Sequence, residues 1–333
     1  MSGDGEEAEQ EGIQRGRRDR RAVVAIGGNA LSPAGESARV ENQFRHTRQS
    51  LSSVVDLIRG GWGVAVVHGN GPQVGDELVR NERARDDVAP FPLGVLVAST
   101  AGWIGYMIQQ SLENALEREG LDREVATMVT QTRVERDDPA LDEPVKFIGR
   151  ELADEAAAER VSGPLMEVAR DDRGRLRRRV ASPRPVEIVE SSLVEELVSR
   201  GEVVIAAGGG GVPVYRDPGL GLEGLNVVID KDRAAALLAR EIDARLLLIL
   251  TDVDGVYENF GTPDARKIDR LELPGALEML EGAGLGEGSM RPKVEAAVRF
   301  LRGGGRRAVI AALEDAGPAV DGRAGTEIVL EDA

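Results

Sequence analysis

Four lysines, Lys146, Lys231, Lys267 and Lys293, stand among 42 basic residues, and all the others are arginine. An ammonium is a compact, mobile point charge, whereas a guanidinium is a planar fork. A lysine kept in so arginine-rich a chain points to work that arginine cannot do. Phosphoryl transfer is such work, because it needs compact cations at the migrating oxygens. Lys231 lies between two acids in Val228-Ile229-Asp230-Lys231-Asp232, and Lys293 follows Ser289-Met290-Arg291-Pro292.

Glycine-rich turns supply the second kind of chemistry. Gly27-Gly28-Asn29 follows an apolar run, and His68-Gly69-Asn70-Gly71-Pro72-Gln73-Val74-Gly75 follows the next. Without a Cβ in the way, backbone N–H groups can approach a phosphate. Two such loops at neighbouring strand ends suit an anion held between amides and a helix N-terminus. A plain tight turn also explains the first loop alone. Gly208, Gly209, Gly210 and Gly211 form a third loop, whose four glycines suit a close approach of backbone to a nucleotide. His68 reads as a packed, hydrogen-bonded residue rather than a base.

These loops need strands to place them. Ala22–Ile26, Gly63–Val67, Val125–Val129, Val203–Ala207, Leu246–Leu250 and Ala308–Ala311 read as strands, and Glu327–Leu330 as the last one. Helical patterns over Glu41–Arg59, Ser99–Glu119, Leu193–Ser199, Ala234–Ile242 and Pro292–Arg302 alternate with them. The alternation predicts an α/β fold with a mostly parallel sheet covered on both faces. Ligands then bind at the carboxyl ends of the strands. There the glycine loops and Thr251-Asp252-Val253-Asp254-Gly255 should line one edge together. Between Arg133 and Arg184 turn signals replace the alternation, and the segment reads as an inserted subdomain or lid. Met1–Arg21, polar and without an apolar core, reads as a disordered extension.

Composition narrows the classes. The net charge of −16 disfavours nucleic acid and anionic membranes as partners. It also requires a locally positive pocket for any anionic substrate. Salt adaptation and GC-rich coding both explain the acidic surplus and the missing lysines. The absence of cysteine excludes disulfides and thiolate chemistry, and two histidines are too few for a His-rich metal centre. No apolar run reaches membrane-spanning length, so a cytoplasmic protein is expected. No glycine precedes a lysine as a phosphate loop requires, no G-x-G-x-x-G closes the first strand, and no His-Arg-Asp supports a protein kinase.

The motifs together resemble carbamate kinase, within the amino acid kinase superfamily. They are GGNAL in Val23–Leu31, HGNGPQVG in His68–Gly75, GGGGVP in Gly208–Pro213 and VIDKD in Val228–Asp232, with Gly102–Tyr106, Lys146–Gly149, Ser182–Pro185, Ile249–Tyr257 and Ser289–Ala297. The resemblance runs in order through Val23–Leu330. It implies a three-layer αβα open sandwich with a protruding inserted subdomain at about 133–184. That subdomain would belong to an N-terminal lobe over 22–200, with a nucleotide-binding lobe over 201–333. It also implies a homodimer and reversible transfer between ATP and carbamate, giving ADP and carbamoyl phosphate, with Mg²⁺ held mainly by phosphate and water.

Residue roles follow from the same resemblance. Gly27, Gly28, Asn29, Gly69, Asn70 and Gly71 would hold carbamate and the transferring group. Lys231 would neutralise that group, taking the place of the lysine other amino acid kinases carry before the first glycine turn; here Ala25-Ile26 stand there. Lys293 would hold the β- and γ-phosphates, Asp232 would orient both ammonium groups, and Lys146 would close over carbamoyl phosphate. Phe147 replaces the proline of many relatives beside it. Gly208, Gly209, Gly210, Gly211, Thr251, Asp252, Val253, Tyr257, Met290 and Pro292 would line the nucleotide. Lys267 is expected at the surface. The competing readings are a relative acting on acetylglutamate, a phosphate monoester or UMP, and a non-catalytic nucleotide sensor.

Overall fold

The computed structural model of the chain describes residues 20–33, 36–161, 166–171, 174–282, 285 and 290–331. Residues 1–19 of the expected extension and Ser289 of the last motif lie outside them, as do parts of the inserted segment. Arg21, assigned to that extension, is instead the buried first residue of the first strand, paired with Glu195 and Asp243.

The first half runs β1 (Arg21–Ile26), α1 (Gly28–Leu31), α2 (Val40–Ser50), α3 (Ser52–Arg59), β2 (Gly63–His68), α4 (Gly71–Ala84), α5 (Leu93–Arg118), β3 (Val125–Thr127) and β4 (Gln131–Val134). Next come β5 (Lys146–Ile148), α6 (Glu155–Val161), β6 (Glu167–Arg170), β7 (Leu176–Val180), β8 (Pro185–Ile188), α7 (Ser191–Arg200) and β9 (Val203–Ile205). The chain continues through β10 (Val212–Asp217), β11 (Gly221–Gly224), α8 (Lys231–Glu241), β12 (Leu246–Thr251), β13 (Val256–Glu258) and β14 (Arg266–Ile268). It ends on β15 (Arg270–Glu272), α9 (Leu273–Glu281), α10 (Met290–Arg302), β16 (Arg307–Ala312), α11 (Ala316–Val320) and β17 (Thr326–Val329).

Eight strands form the central sheet in the order β15-β17-β16-β12-β1-β2-β9-β3. Every neighbouring pair is parallel except β16 with β17. Buried parallel strands read as continuous apolar runs whose alternate residues feed opposite layers. Val23 and Ala25 of β1 and Leu247 and Ile249 of β12 pack with α7, α8 and α10 on one face. Ala22, Val24 and Ile26, with Leu246, Leu248 and Leu250, pack with α3, α5 and α11 on the other. The result is an αβα sandwich.

The strands between 133 and 184 stay out of that sheet. β5, β7 and β6 make a separate antiparallel sheet, and β4 and β8 join the β10–β11 hairpin. The helix expected over 41–59 is two helices broken at Leu51. Thr47 and Ser50 donate their hydroxyls to the carbonyls of Gln43 and His46 one turn back, a bonding pattern that bends helices.

Candidate active site

Four adjacent parallel strands, β12, β1, β2 and β9, end on the same side of the sheet. The loops that follow them begin at Asp252, Gly27, Gly69 and Ala206. The first two glycine loops are in contact: a Cβ on Gly69 would stand 2.7 Å from the backbone nitrogen of Gly28 and 3.2 Å from Cδ of Lys231. The Lys231 stem therefore lies across this pair of turns, and its Cε is 4.0 Å from where a Gly27 Cβ would be. Gly71 opens α4 with Pro72 in its first turn, where a missing N–H costs nothing. The amides at that helix start and the Lys231 ammonium thus share one corner of the molecule, a setting suited to an anion.

Lys231 is the first residue of α8, and Asp232 the second. The ammonium of Lys231 donates to Oδ1 of Asp232, and that of Lys293 donates to Oδ2 at 3.2 Å. Lys293 arrives on α10, which packs on the same face of the sheet as α8. The Asp232 side chain is almost completely buried. Burial works to protonate it, but the two ammonium charges prevail and hold its pKa below the ordinary carboxylate range. Burial in turn pushes Lys231 below the usual lysine value; Asp232 opposes this, while the charge on Lys293 adds to it.

Lys146 lies on β5, yet its ammonium reaches back to Oδ2 of Asp230. The other oxygen of Asp230 caps α8, accepting the amides of Asp232 at 2.9 Å and Arg233 at 3.1 Å. Asp230 was not among the residues singled out above. The signal was present: an aspartate just ahead of a helical pattern is an N-cap signature.

The tetraglycine loop stands behind this arrangement. Gly209, Gly210 and Gly211 have φ of 68°, 95° and 87°, which side chains rarely adopt. A Cβ on Gly208 would meet Nε2 of His68 at 2.5 Å, and one on Gly210 the carbonyl carbon of Ile229 at 2.8 Å. The loop is tied down by Thr132 Oγ1, which donates to the Gly210 carbonyl at 2.7 Å, and by Thr130 Oγ1, which accepts from the Ala207 amide at 2.9 Å. Protein atoms therefore already require glycine at these positions. Asn70 packs its side chain against Gly209 and donates from Nδ2 to Thr100 at 2.9 Å. His68 is buried, with Nδ1 3.1 Å from the Gly69 carbonyl oxygen, and burial pushes its pKa down to about 4. It is a neutral, packed imidazole at neutral pH.

Thr251, Asp252 and Val253 leave the end of β12 beside β1. Tyr257 donates its hydroxyl to Asp254 at 2.8 Å, and Lys267 pairs with the same carboxylate at 3.2 Å. Lys267, expected at the surface, thus braces this loop with a side chain about three-quarters covered. Met290 and Pro292 occupy the first turn of α10 together with Lys293. Asn29 belongs to α1, in the first glycine turn. Among the described residues no group of three His, Asp or Glu side chains could hold a metal ion, and no helix is long and apolar enough to cross a membrane.

Residues 20–312 match the family model described as the amino acid kinase family. Carbamate kinase of Halobacterium salinarum is 46% identical over 312 residues, which cover 93% of this chain and 98% of that one. Two solved structures of carbamate kinase from Giardia lamblia superpose closely. The one bound to citric acid has a TM-score of 0.87 at 33% identity, covering 94% of this chain and 99% of that one. The one bound to AMP-PNP has a TM-score of 0.85 at 34% identity, with the same coverage.

Proposed function

Since this chain belongs to the amino acid kinase family, among its carbamate kinases, we propose that it transfers a phosphoryl group reversibly between ATP and carbamate. The products are ADP and carbamoyl phosphate. The observation that carries this reading is the placing of two largely covered lysines, Lys231 and Lys293, on the two oxygens of Asp232 beside the paired glycine turns. The Giardia relative bound to AMP-PNP supports the nucleotide as the other substrate.

Carbamate is already an anion, so the acceptor needs no base. Catalysis is then positioning and charge neutralisation. Lys231, fixed by Asp232, neutralises the transferring group over the Gly27–Gly28 and Gly69–Gly71 turns. Lys293 holds the β- and γ-phosphates on the nucleotide side. Asp232 keeps the two like charges apart and aimed, so little reorganisation is needed when the reaction charge develops. Lys146 faces carbamoyl phosphate from the small sheet. The loop from Thr251 to Tyr257 and the first turn of α10 receive the nucleotide. With both Asp232 oxygens engaged by lysines, Mg²⁺ enters as part of the nucleotide substrate, held by phosphate and water.

Carbamoyl phosphate is a reactive mixed anhydride, so ADP phosphorylation is the direction we assign, in the breakdown of arginine-derived carbamoyl groups. The same reading carries the homodimer, which light scattering on purified protein tests. The functional test is ATP formation from carbamoyl phosphate and Mg-ADP at low and at molar KCl. Turnover that disappears in Lys231→Ala supports the reading. Folded wild-type protein without turnover at either salt concentration overturns it in favour of another acceptor or a nucleotide sensor.

A further inference from the structure

Asp230 has no part in the reaction as described above, yet both of its oxygens are engaged in a nearly closed environment. One oxygen caps α8, the helix that begins with Lys231 and Asp232. The other accepts from Lys146, 84 positions away in sequence and on the separate three-stranded sheet. A single carboxylate therefore joins the two parts of the molecule that bear the site lysines.

We propose that Asp230 is a positioning residue for phosphoryl transfer, fixing Lys146 relative to Lys231 by dividing its two oxygens between the α8 amides and the Lys146 ammonium. This deepens the function proposed above and rests on it. A cap alone does not explain the residue. Asparagine and serine cap about as well as aspartate, without burying a charge. A buried carboxylate is tolerable when a cation meets it, and Lys146 is that cation. The pairing is mutual. Burial would protonate Asp230, but the Lys146 charge holds its pKa well below the carboxylate range. Desolvation of its ammonium works against the charge on Lys146, but Asp230 prevails and keeps its pKa above the usual lysine value. The Lys146 side chain is 40% exposed and has a flexible four-carbon stem. Without the carboxylate its ammonium has no fixed position, and misplacement by about 1 Å can cost roughly a hundredfold in rate.

The test uses Asp230→Asn, which keeps the cap and shape and removes the charge, with Asp230→Ser as a second variant of the same kind. Steady-state rates of ATP formation are measured for both, for Lys146→Met, and for each Asp230 variant combined with Lys146→Met. The expected result is a kcat at least tenfold below wild type in both Asp230 variants, with KM for Mg-ADP unchanged. In the Lys146→Met background the same changes should cost less than twofold, because Asp230 acts through Lys146. Hydrogen exchange of the Lys146–Ile148 amides should also quicken in Asp230→Asn. A wild-type kcat in a folded Asp230 variant overturns the inference, as does an undiminished loss in the Lys146→Met background. Both leave the proposed function standing, because that reading fails only if the wild type itself shows no turnover.

Discussion

The backbone of Gly75 in α4 lies directly on the backbone of Gly149 at the end of β5. A Cβ on Gly75 would come 2.8 Å from the nitrogen of Gly149 and would overlap its Cα. The Gly149 amide also donates to the carbonyl of Gly71 at 3.1 Å. Around this contact Ile148 and Val180 of the small sheet share a core with Val74 and Leu78 of α4. The buried Arg178 bonds both oxygens of Glu82, at 2.7 and 2.9 Å. The small sheet is thus seated on the same helix whose N-terminus faces the lysine cluster.

That seat makes Gly75→Ala a specific probe. The added methyl has only backbone to push against, and overpacking of this kind costs about 1–3 kcal/mol. The adjacent strand carries Lys146, so the displacement should reach the carbamoyl phosphate side before the nucleotide side. Steady-state kinetics of Gly75→Ala should show KM for carbamoyl phosphate raised severalfold and KM for Mg-ADP within twofold of wild type. Equal increases in both would mean that the contact does not set the position of the small sheet.

Lys231→Ala removes a preorganised charge, a loss of roughly 3–4 kcal/mol in transition-state stabilisation. The expected outcome is a kcat lower by several hundredfold or more, with the thermal midpoint close to wild type. Lys231→Arg is the sharper variant. It keeps the charge, but the stem runs across Gly69 and Gly27, where a planar guanidinium has little room. Its kcat should fall nearly as far as that of alanine. An arginine variant at wild-type rate would show that charge alone suffices there.

The alkaline limb of the rate profile should belong to Lys231. Burial and the neighbouring Lys293 charge lower its pKa, and Asp232 only partly restores it. A lysine with a depressed pKa loses its proton before pH reaches the ordinary value of 10.5. Initial rates should therefore fall with rising pH in a single-proton step below that value. In Lys231→Arg this step should vanish from the residual activity, since guanidinium keeps its proton. A limb unchanged in the arginine variant would assign it to another group.

Much of this arrangement was legible in the sequence, for identifiable reasons. The apolar runs of β1, β2 and β12 could only be buried strands, and glycines after such runs mark the ends where ligands bind. The depletion of lysine singled out Lys231 and Lys293, which the fold brings onto one carboxylate. Long-range pairings left no such mark. The partner of Lys146 is distant in the chain, and the approach of Gly75 to Gly149 depends on how the small sheet meets α4. The tetraglycine loop suggested a nucleotide approach, and its surroundings add a second reason for glycine, since His68, Asn70 and Ile229 leave no room for a Cβ there. Local sequence registers that side chains are excluded, but not which atoms exclude them.

His68 offers a test of that buried wall. Its folded pKa is about 4, because burial outweighs the pull of the Gly69 carbonyl beside Nδ1. In the unfolded chain a histidine titrates near 6.5. Between these values the unfolded chain takes up a proton that the folded protein refuses. Stability contributed by the neutral imidazole is therefore complete above pH 6.5 and is lost as pH falls towards 4. Over that window the loss amounts to about 3 kcal/mol. His68→Asn should start less stable at pH 7.5, since it leaves a packing defect beside Gly208. Its disadvantage should shrink as pH falls, because asparagine binds no proton. Urea unfolding of both proteins at pH 7.5, 6, 5 and 4.5 measures the difference directly. A gap that stays constant across this range would mean that His68 titrates alike in the folded and unfolded chains, and that the wall behind the glycine loops admits water.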